Sequence, residues 1–332
     1  MNGFVRRTRE EAERLEDAAL APAAARAAAS RGRERDEGSD PMRSAFERDR
    51  DRILHSKALR RLMHKTQVFI NPEGDHYITR LTHTLQVTQI GRSLARFLGL
   101  NETLTEAICL GHDVGHSPFG HTGEEVISEY VPDEWLHSEQ SLRVLDVLEP
   151  LNLTWETRDG IRAHSWKVDP APATHEANLC RFADRIAYLT HDVDDAMRAG
   201  IITPDDLPRD AGAVFGEPGS AWITEMIRAV VDETLRRGEI AMEPGHLDAM
   251  HHLREFMFER VYLRPEMEPQ RRRVKNVVRQ LMEHFLANPD EIPETYRAPG
   301  ADTLTRVVDY VSGMTDRYAL RTHDELYRPT LF

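Results

Sequence analysis

The sequence predicts an all-α fold. Three observations carry the prediction. Apolar residues return at helical spacing in most windows. No stretch of any length shows the period-two alternation of a half-buried strand. Proline and glycine interrupt the helical patterns often enough to set the length of each helix. The 332 residues suffice for one large or two modest domains. We read 1–41 as an N-terminal extension, partly mobile, and 42–332 as a single all-α domain. Its core is expected at about 79–199, with a further helical part over 200–332.

Residues 1–41 are rich in Ala, Arg and Glu and partly helical by propensity. The run Ser30 to Pro41 reads as a mobile linker, or as an arm that orders against a neighbouring subunit. From Met42 the chain turns basic. Ile53, Leu54, Ala58, Leu59, Leu62 and Met63 recur at helical spacing, which predicts one amphipathic helix with a basic face to Lys65. Most of those charges read as a solvated face, and one or two arginines as aimed at a phosphate. Asn71-Pro72-Glu73-Gly74-Asp75 is a turn. A helix follows from Arg80, with Leu81, Leu85, Ile90, Leu94 and Leu98 expected on its buried side and His83 near its start. Thr103 to Leu110, Ser138 to Leu148 and Thr157 to His164 are the next helices. Glu176 to Met197 shows two stripes: Leu179, Phe182, Ala183, Ile186, Leu189 and Val193 on one side, and Arg181, Asp184, Arg185, Tyr188, Asp192 and Asp195 on the other. The second stripe fits either a face in water or the lining of a substrate site. Helices continue through Ala221–Arg236, His246–Val261 and Arg271–Leu286. His251, His252, His284 and His323 show no carboxylate constellation.

The chemistry concentrates in Gly111 to Glu124, where three histidines, one aspartate and one glutamate fall within fourteen residues. Imidazole and carboxylate are the usual ligands of first-row divalent metals and the usual proton carriers near neutral pH. Glycines and Pro118 break helix continuity, so a loop opening from a helix end is expected. Neighbours in a regular helix diverge by about 100°. His112 and Asp113 therefore share a metal most easily where the helix stops, and Gly111 and Gly115 mark a stop there.

The net charge of −13 argues against nonspecific nucleic-acid binding as the main activity; a nucleic-acid role through 43–65 is secondary. It also means that an anionic substrate needs local positive charge from a metal or from arginines. Cys109 and Cys180 sit in apolar helical patterns and read as small core residues. No apolar stretch is long enough to span a membrane, and no apolar signal region opens the chain, so the expected location is cytoplasmic.

The order His83, His112-Asp113, Asp184 resembles the HD-domain metal-dependent phosphohydrolases. Arg80-Leu81-Thr82-His83-Thr84, the loop His112 to Glu124 and Ala183-Asp184-Arg185-Ile186-Ala187-Tyr188 together resemble the deoxyguanosine triphosphate triphosphohydrolase family. The resemblance runs from about Met42 to Gly200 and more weakly to the C-terminus; the long loop with His116, His121 and Glu124 is its most specific part. It implies an HD-domain helical fold with additional C-terminal helices. The implied reaction is hydrolysis of deoxynucleoside triphosphates, dGTP and other dNTPs, to the deoxynucleoside and tripolyphosphate. It implies a divalent metal, Mn²⁺ or Mg²⁺ first and Fe²⁺, Co²⁺ or Ni²⁺ next, on His83, His112, Asp113 and Asp184. His121 and Glu124 match the family's catalytic pair, and His137 a further active-site histidine. Arg80, His116 and Arg185 match phosphate contacts, and Tyr188, Asp192 and Gln67 positions that face the sugar. Water activation and acid catalysis can be divided either way between His121 and His137. A homo-oligomer is the expected assembly. The rival readings are another HD phosphohydrolase, acting on nucleoside monophosphates or signalling nucleotides, and a non-catalytic nucleotide sensor.

Overall fold

The computed structural model describes residues 3–67 and 78–329. It is all-α, with fifteen α-helices among the described residues. The expected turn at 71–75 lies outside them. In order the helices are α1 (Arg9–Ala19), α2 (Ala45–Leu54), α3 (Lys57–Arg61), α4 (Arg80–Leu98), α5 (Glu102–Gly111), α6 (His121–Ser128), α7 (His137–Arg143), α8 (Trp155–Ala163) and α9 (His175–Arg198). Beyond them come α10 (Arg209–Phe215), α11 (Ser220–Arg237), α12 (Pro244–Met257), α13 (Glu268–Ala287), α14 (Thr303–Ser312) and α15 (Asp316–Tyr327).

Helices α4 and α9 pack side by side, with α5 against both. Their buried faces share one apolar cluster that includes Val87, Ile90, Leu94, Ile108, Leu179, Phe182, Ile186 and Val193 and extends to α11 and α12. A second cluster joins α13, α14 and α15 to Phe119, Val126 and Ile127. The C-terminal helices thus rest on the segment that opens α6. A third holds Ile53, Leu59 and Leu62 against Leu110, Val114, Leu145 and Ile161. Both cysteines are free and buried, as their apolar settings predict.

Three expectations are corrected. The basic stretch 42–65 is not one helix. Ser44 caps α2, but Ser56 caps a new helix by accepting from Leu59 N–H, so α3 starts on its own axis. Four of the stretch's eight basic side chains are ion-paired within the chain. Arg43 pairs with Asp40 and Asp51, Arg48 and Arg52 pair with Glu37, and Arg50 pairs with Asp51. On α4 Ile90 and Leu94 are buried and Leu81 and Leu98 partly so, as expected, but Leu85 is not. Leu85 is half exposed, while Arg80, His83, Thr84, Val87, Ile90, Gly91 and Leu94 face inward. The inward face carries polar residues at its start, which an apolar count cannot see.

The third correction concerns Ser30 to Pro41, whose composition reads as a mobile linker. Arg33 pairs with the buried Asp49 and donates to the Asn152 and Ala45 carbonyls. Trp155 N–H donates to Gly32 O, and the Arg31 guanidinium lies 3.6 Å over the Trp155 ring. Glu156 accepts from Ser30 Oγ and Arg31 N–H. The segment is held by specific polar contacts to α2 and α8 rather than by apolar burial, so hydrophobicity gives no sign of it.

Candidate metal centre and active site

Each chemical residue reaches one pocket because of how its element ends or packs. His83 lies in the first turns of α4 and Asp184 in the middle of α9, where the two helices touch. Helix α5 stops at Gly111, and His112 and Asp113 follow. Gly115 then packs directly on the α7 backbone: a Cβ there would lie 2.1 Å from Ser141 N, closer than any side chain allows. Gly115 N–H donates to Ser141 Oγ, which in turn donates to His112 O. Gly120, at φ 59°, turns the chain so that α6 begins at His121.

The first group is His83, His112 and Asp184, with ligand atoms all within 4.8 Å of one another. His83 Nε2 is 3.1 Å from Asp184 Oδ1, and His112 Nε2 is 3.9 Å from the same oxygen and 3.5 Å from Asp113 Oδ1. His112 Nδ1–H donates to Cys109 O at 2.6 Å, which leaves Nε2 a lone pair, buried and without a hydrogen-bond partner. Arg80 NH1 donates to Asp113 Oδ2 at 2.8 Å. In this structure Arg80, read as a phosphate contact, orients the aspartate.

The second group is Asp113, His116 and His137. Glu124 stands behind it. Its Oε1 is 2.7 Å from His116 Nδ1 and 3.1 Å from His137 Nδ1, and its Oε2 accepts from His121 Nδ1 at 3.0 Å. The sequence pairs Glu124 with His121 alone; the structure gives it three imidazoles. The His121 side chain is 69% exposed and projects from the first turn of α6, whereas His116 is buried.

Residues 80–189 match the HD domain and residues 240–325 the phosphohydrolase-associated domain. A deoxyguanosinetriphosphate triphosphohydrolase-like protein of Caldanaerobacter subterraneus is 47% identical over 331 residues, covering 98% of this chain and 97% of its own. A protein of the same description from Desulfatibacillum aliphaticivorans is 44% identical and covers 97% and 98%. The chain belongs to the deoxyguanosinetriphosphate triphosphohydrolase-like family of HD-domain phosphohydrolases. A crystal structure of a phosphohydrolase from Bacteroides thetaiotaomicron shares the fold at 18% identity and a TM-score of 0.51, over 84% of this chain and 68% of the other.

In this HD-domain phosphohydrolase the donor set fits a divalent metal on an observation of its own. A buried imidazole lone pair at His112 faces two carboxylates. Burial opposes charge on Asp113, yet His112, His116, Arg80 and His137 hold its carboxyl well below the usual range. Asp184 is likewise desolvated, but the His83 contact pulls it down to about 2. Ionised carboxylates beside imidazoles suit an N/O-liganded first-row ion.

The remaining sequence-read residues make the following contacts. Arg185 NH1 is 3.2 Å from His251 Nε2, and its guanidinium lies 4.8 Å over the Trp166 ring. Tyr188 is half-buried. Gln67 Oε1 is buried without a partner. Four residues escaped the sequence reading. His164 closes the pocket: its Nδ1 donates to Ile161 O at 2.8 Å and its Nε2 is 3.2 Å from His137 Nε2. It reads as one more helix-end histidine, and only a count of histidines that follow helix ends would have flagged it. Tyr262 donates to Asp192 at 2.6 Å from 70 residues away, with no local signal. Lys65 and Asp316 brace the loop from outside. Lys65 Nζ donates to His116 O and Ser312 O; Asp316 accepts from Phe119 N–H and Thr66.

Asp192 yields a stability prediction. Burial pushes its carboxyl up to about 7, with Tyr262 opposing. A carboxyl whose folded value is raised favours the fold fully below the unfolded value, near 3.9, and that contribution is lost as pH rises toward 7. Asparagine neither ionises nor loses the acceptor for Tyr262. In metal-free protein, Asp192→Asn is expected to melt above the wild type at pH 8, by a margin that shrinks steadily toward pH 4. The full span corresponds to about 4 kcal/mol for roughly three pH units. Melting temperatures read from pH 4 to 8 check this, and a pH-independent margin would refute it.

Proposed function

We propose that the protein hydrolyses deoxynucleoside triphosphates to the deoxynucleoside and tripolyphosphate, using a divalent ion on His83, His112, Asp113 and Asp184. The observation that carries this reading is the placement of Glu124. One carboxylate contacts the two imidazoles beside Asp113 and also orients the exposed His121. The names of the relatives point the same way. A bound divalent ion supplies Lewis acidity toward the α-phosphoryl group. The rest is done by side chains. Arg80 and Arg185 offset the triphosphate charge that the acidic chain otherwise repels, and the buried His116 adds a neutral contact. Phosphoryl transfer needs positioning and charge stabilisation above all. The 5′ oxygen of the sugar is a poor leaving group, and His121, oriented by Glu124, delivers a proton to it. His137, deeper in the pocket, stays with Asp113 and Glu124. Tyr188, Asp192 and Gln67 meet the sugar, and a homo-oligomer is the working assembly.

The deciding experiment incubates the protein with each deoxynucleoside triphosphate, singly and mixed, with Mn²⁺ or Mg²⁺, and separates the products by chromatography. Tripolyphosphate is expected; orthophosphate or pyrophosphate would point to a different HD phosphohydrolase. Ribonucleoside triphosphates are expected to be poorer substrates. Asp192 already binds Tyr262, so an added 2′-hydroxyl beside this pair meets crowding or goes unpaired. Equal turnover of GTP and dGTP at matched concentration would refute the sugar assignment.

A further inference from the structure

Phe119 holds a backbone conformation that its side chain does not favour. Its φ is 61°, one of two positive values at residues other than glycine among those described. A bulky residue keeps that region only where surrounding contacts over-determine it, and such strain gathers at functional sites. Two contacts fix it here, and both come from the C-terminal helices. The ring is buried in the apolar cluster of α13, α14 and α15. The N–H donates to Asp316 Oδ1 at 2.9 Å, from 197 residues away. Gly120 follows at φ 59°, and α6 begins with His121. The direction in which His121 leaves the loop is therefore set by a turn that the chain would not adopt unaided.

Asp316 is placed for this task. It opens α15, and its side chain is buried. One oxygen accepts from Phe119 N–H; the other accepts from Thr66 N–H at 3.0 Å and from Thr66 Oγ1. A buried carboxylate is costly unless its lone pairs are engaged, and here backbone N–H groups of two separate segments engage them. One segment leads into Gln67 and the other into His121. The same corner of α14 and α15 reaches the surroundings of the loop twice more. Ser312 O accepts from Lys65 Nζ, which also donates to His116 O. Asp309 accepts from Gln140 and Arg143 on α7, the helix that begins with His137. We propose that Asp316 is a positioning residue for the hydrolysis: it holds the left-handed turn at Phe119 and so aims His121 at the departing oxygen. The C-terminal corner then acts on the chemistry through His121. The inference rests on the acid role of His121 proposed above, and the test separates the two.

Asp316→Ala is measured in the full-length protein loaded with Mn²⁺, by single-turnover hydrolysis, nucleotide affinity and metal content. Misplacing a reacting group by about 1 Å can cost about 10²-fold, so the rate should fall by about 10–10²-fold with affinity and metal near the wild type. In a His121→Ala background the same substitution should cost little more, because the residue it positions is already gone. Thr66→Val removes one bond to the other Asp316 oxygen and leaves the Phe119 bond, so it should keep the wild-type rate. Asp316→Asn keeps the size and one acceptor, so it should show a smaller loss that also vanishes without His121. It decides the matter if circular dichroism shows the alanine variant misfolded. Crystal structures of the variants give a reading independent of substrate: in Asp316→Ala, Phe119 should leave the left-handed region and His121 should move relative to Asp113. An earlier melt at an unchanged rate marks Asp316 as a structural tie and overturns the proposal. Equal losses with and without His121, or a Thr66→Val loss as large as that of Asp316→Ala, also overturn it. A wild type that releases no tripolyphosphate from any deoxynucleoside triphosphate overturns the proposed reaction instead. The crystal structures then decide, and an unmoved turn in Asp316→Ala overturns this inference too.

Discussion

Asp113→Ala is expected to lose bound divalent metal and all measurable phosphohydrolase activity together. Asp113 is the point where the metal-type groups meet: its Oδ1 lies 3.5 Å from His112 Nε2 and 3.8 Å from both His116 and His137 Nε2. Removing only a partner that orients a ligand typically costs about 10–100-fold in metal affinity, so loss of the ligand itself should exceed that. The substitution also strips the buried Arg80 of its carboxylate. An unpaired buried charge typically costs about 3–5 kcal/mol, so the alanine variant should melt earlier even without metal. Asp113→Asn separates the two effects, because its amide oxygen still accepts from Arg80 while the negative charge is gone. Elemental analysis and melting curves on both variants make the check. A full metal equivalent retained by Asp113→Ala would remove the metal assignment.

The sequence exposed the chemistry of this site better than its architecture. His112, Asp113, His116, His121 and Glu124 were legible because their types are rare in combination and the intervening glycines announce a loop. His83 and Asp184 became legible only through resemblance; by pattern alone each is one polar residue on an amphipathic helix. The long-range partners stayed hidden for a physical reason. Tyr262 meets Asp192, and Asp316 meets Phe119, through single hydrogen bonds between elements whose relative placement is set by distributed apolar packing. No local periodicity encodes such a pairing. The same holds for Ser30 to Pro41, where ordering comes from Arg33, Glu37 and Asn152 rather than from a buried apolar face. Leu85 shows the opposite failure. A helical count places it on the buried side with Ile90 and Leu94, yet it is half exposed, because the inward face at that end of α4 belongs to Arg80, His83 and Thr84.

His121→Ala is expected to separate catalysis from binding. His121 lies outside both metal-type groups, and its side chain is mostly exposed. Metal content and melting temperature should therefore stay near the wild type. Triphosphate affinity should stay close too, since Arg80, Arg185 and the metal carry that charge. What disappears is a proton donor needed only as the 5′ oxygen leaves. An interaction present only in the transition state lowers the catalytic rate without weakening ground-state binding. General acid catalysis typically contributes about 10²–10⁴-fold, and the single-turnover rate should fall on that scale. Glu124→Gln is expected to lose at least as much, because Glu124 contacts His116 and His137 as well as His121. The double variant should lose less than the product of the two, because His121 acts through the orientation that Glu124 gives it. Single-turnover hydrolysis measured beside metal content and nucleotide affinity decides the matter. A wild-type rate in His121→Ala would remove His121 from the chemistry. Loss of metal in that variant would place it among the ligands instead.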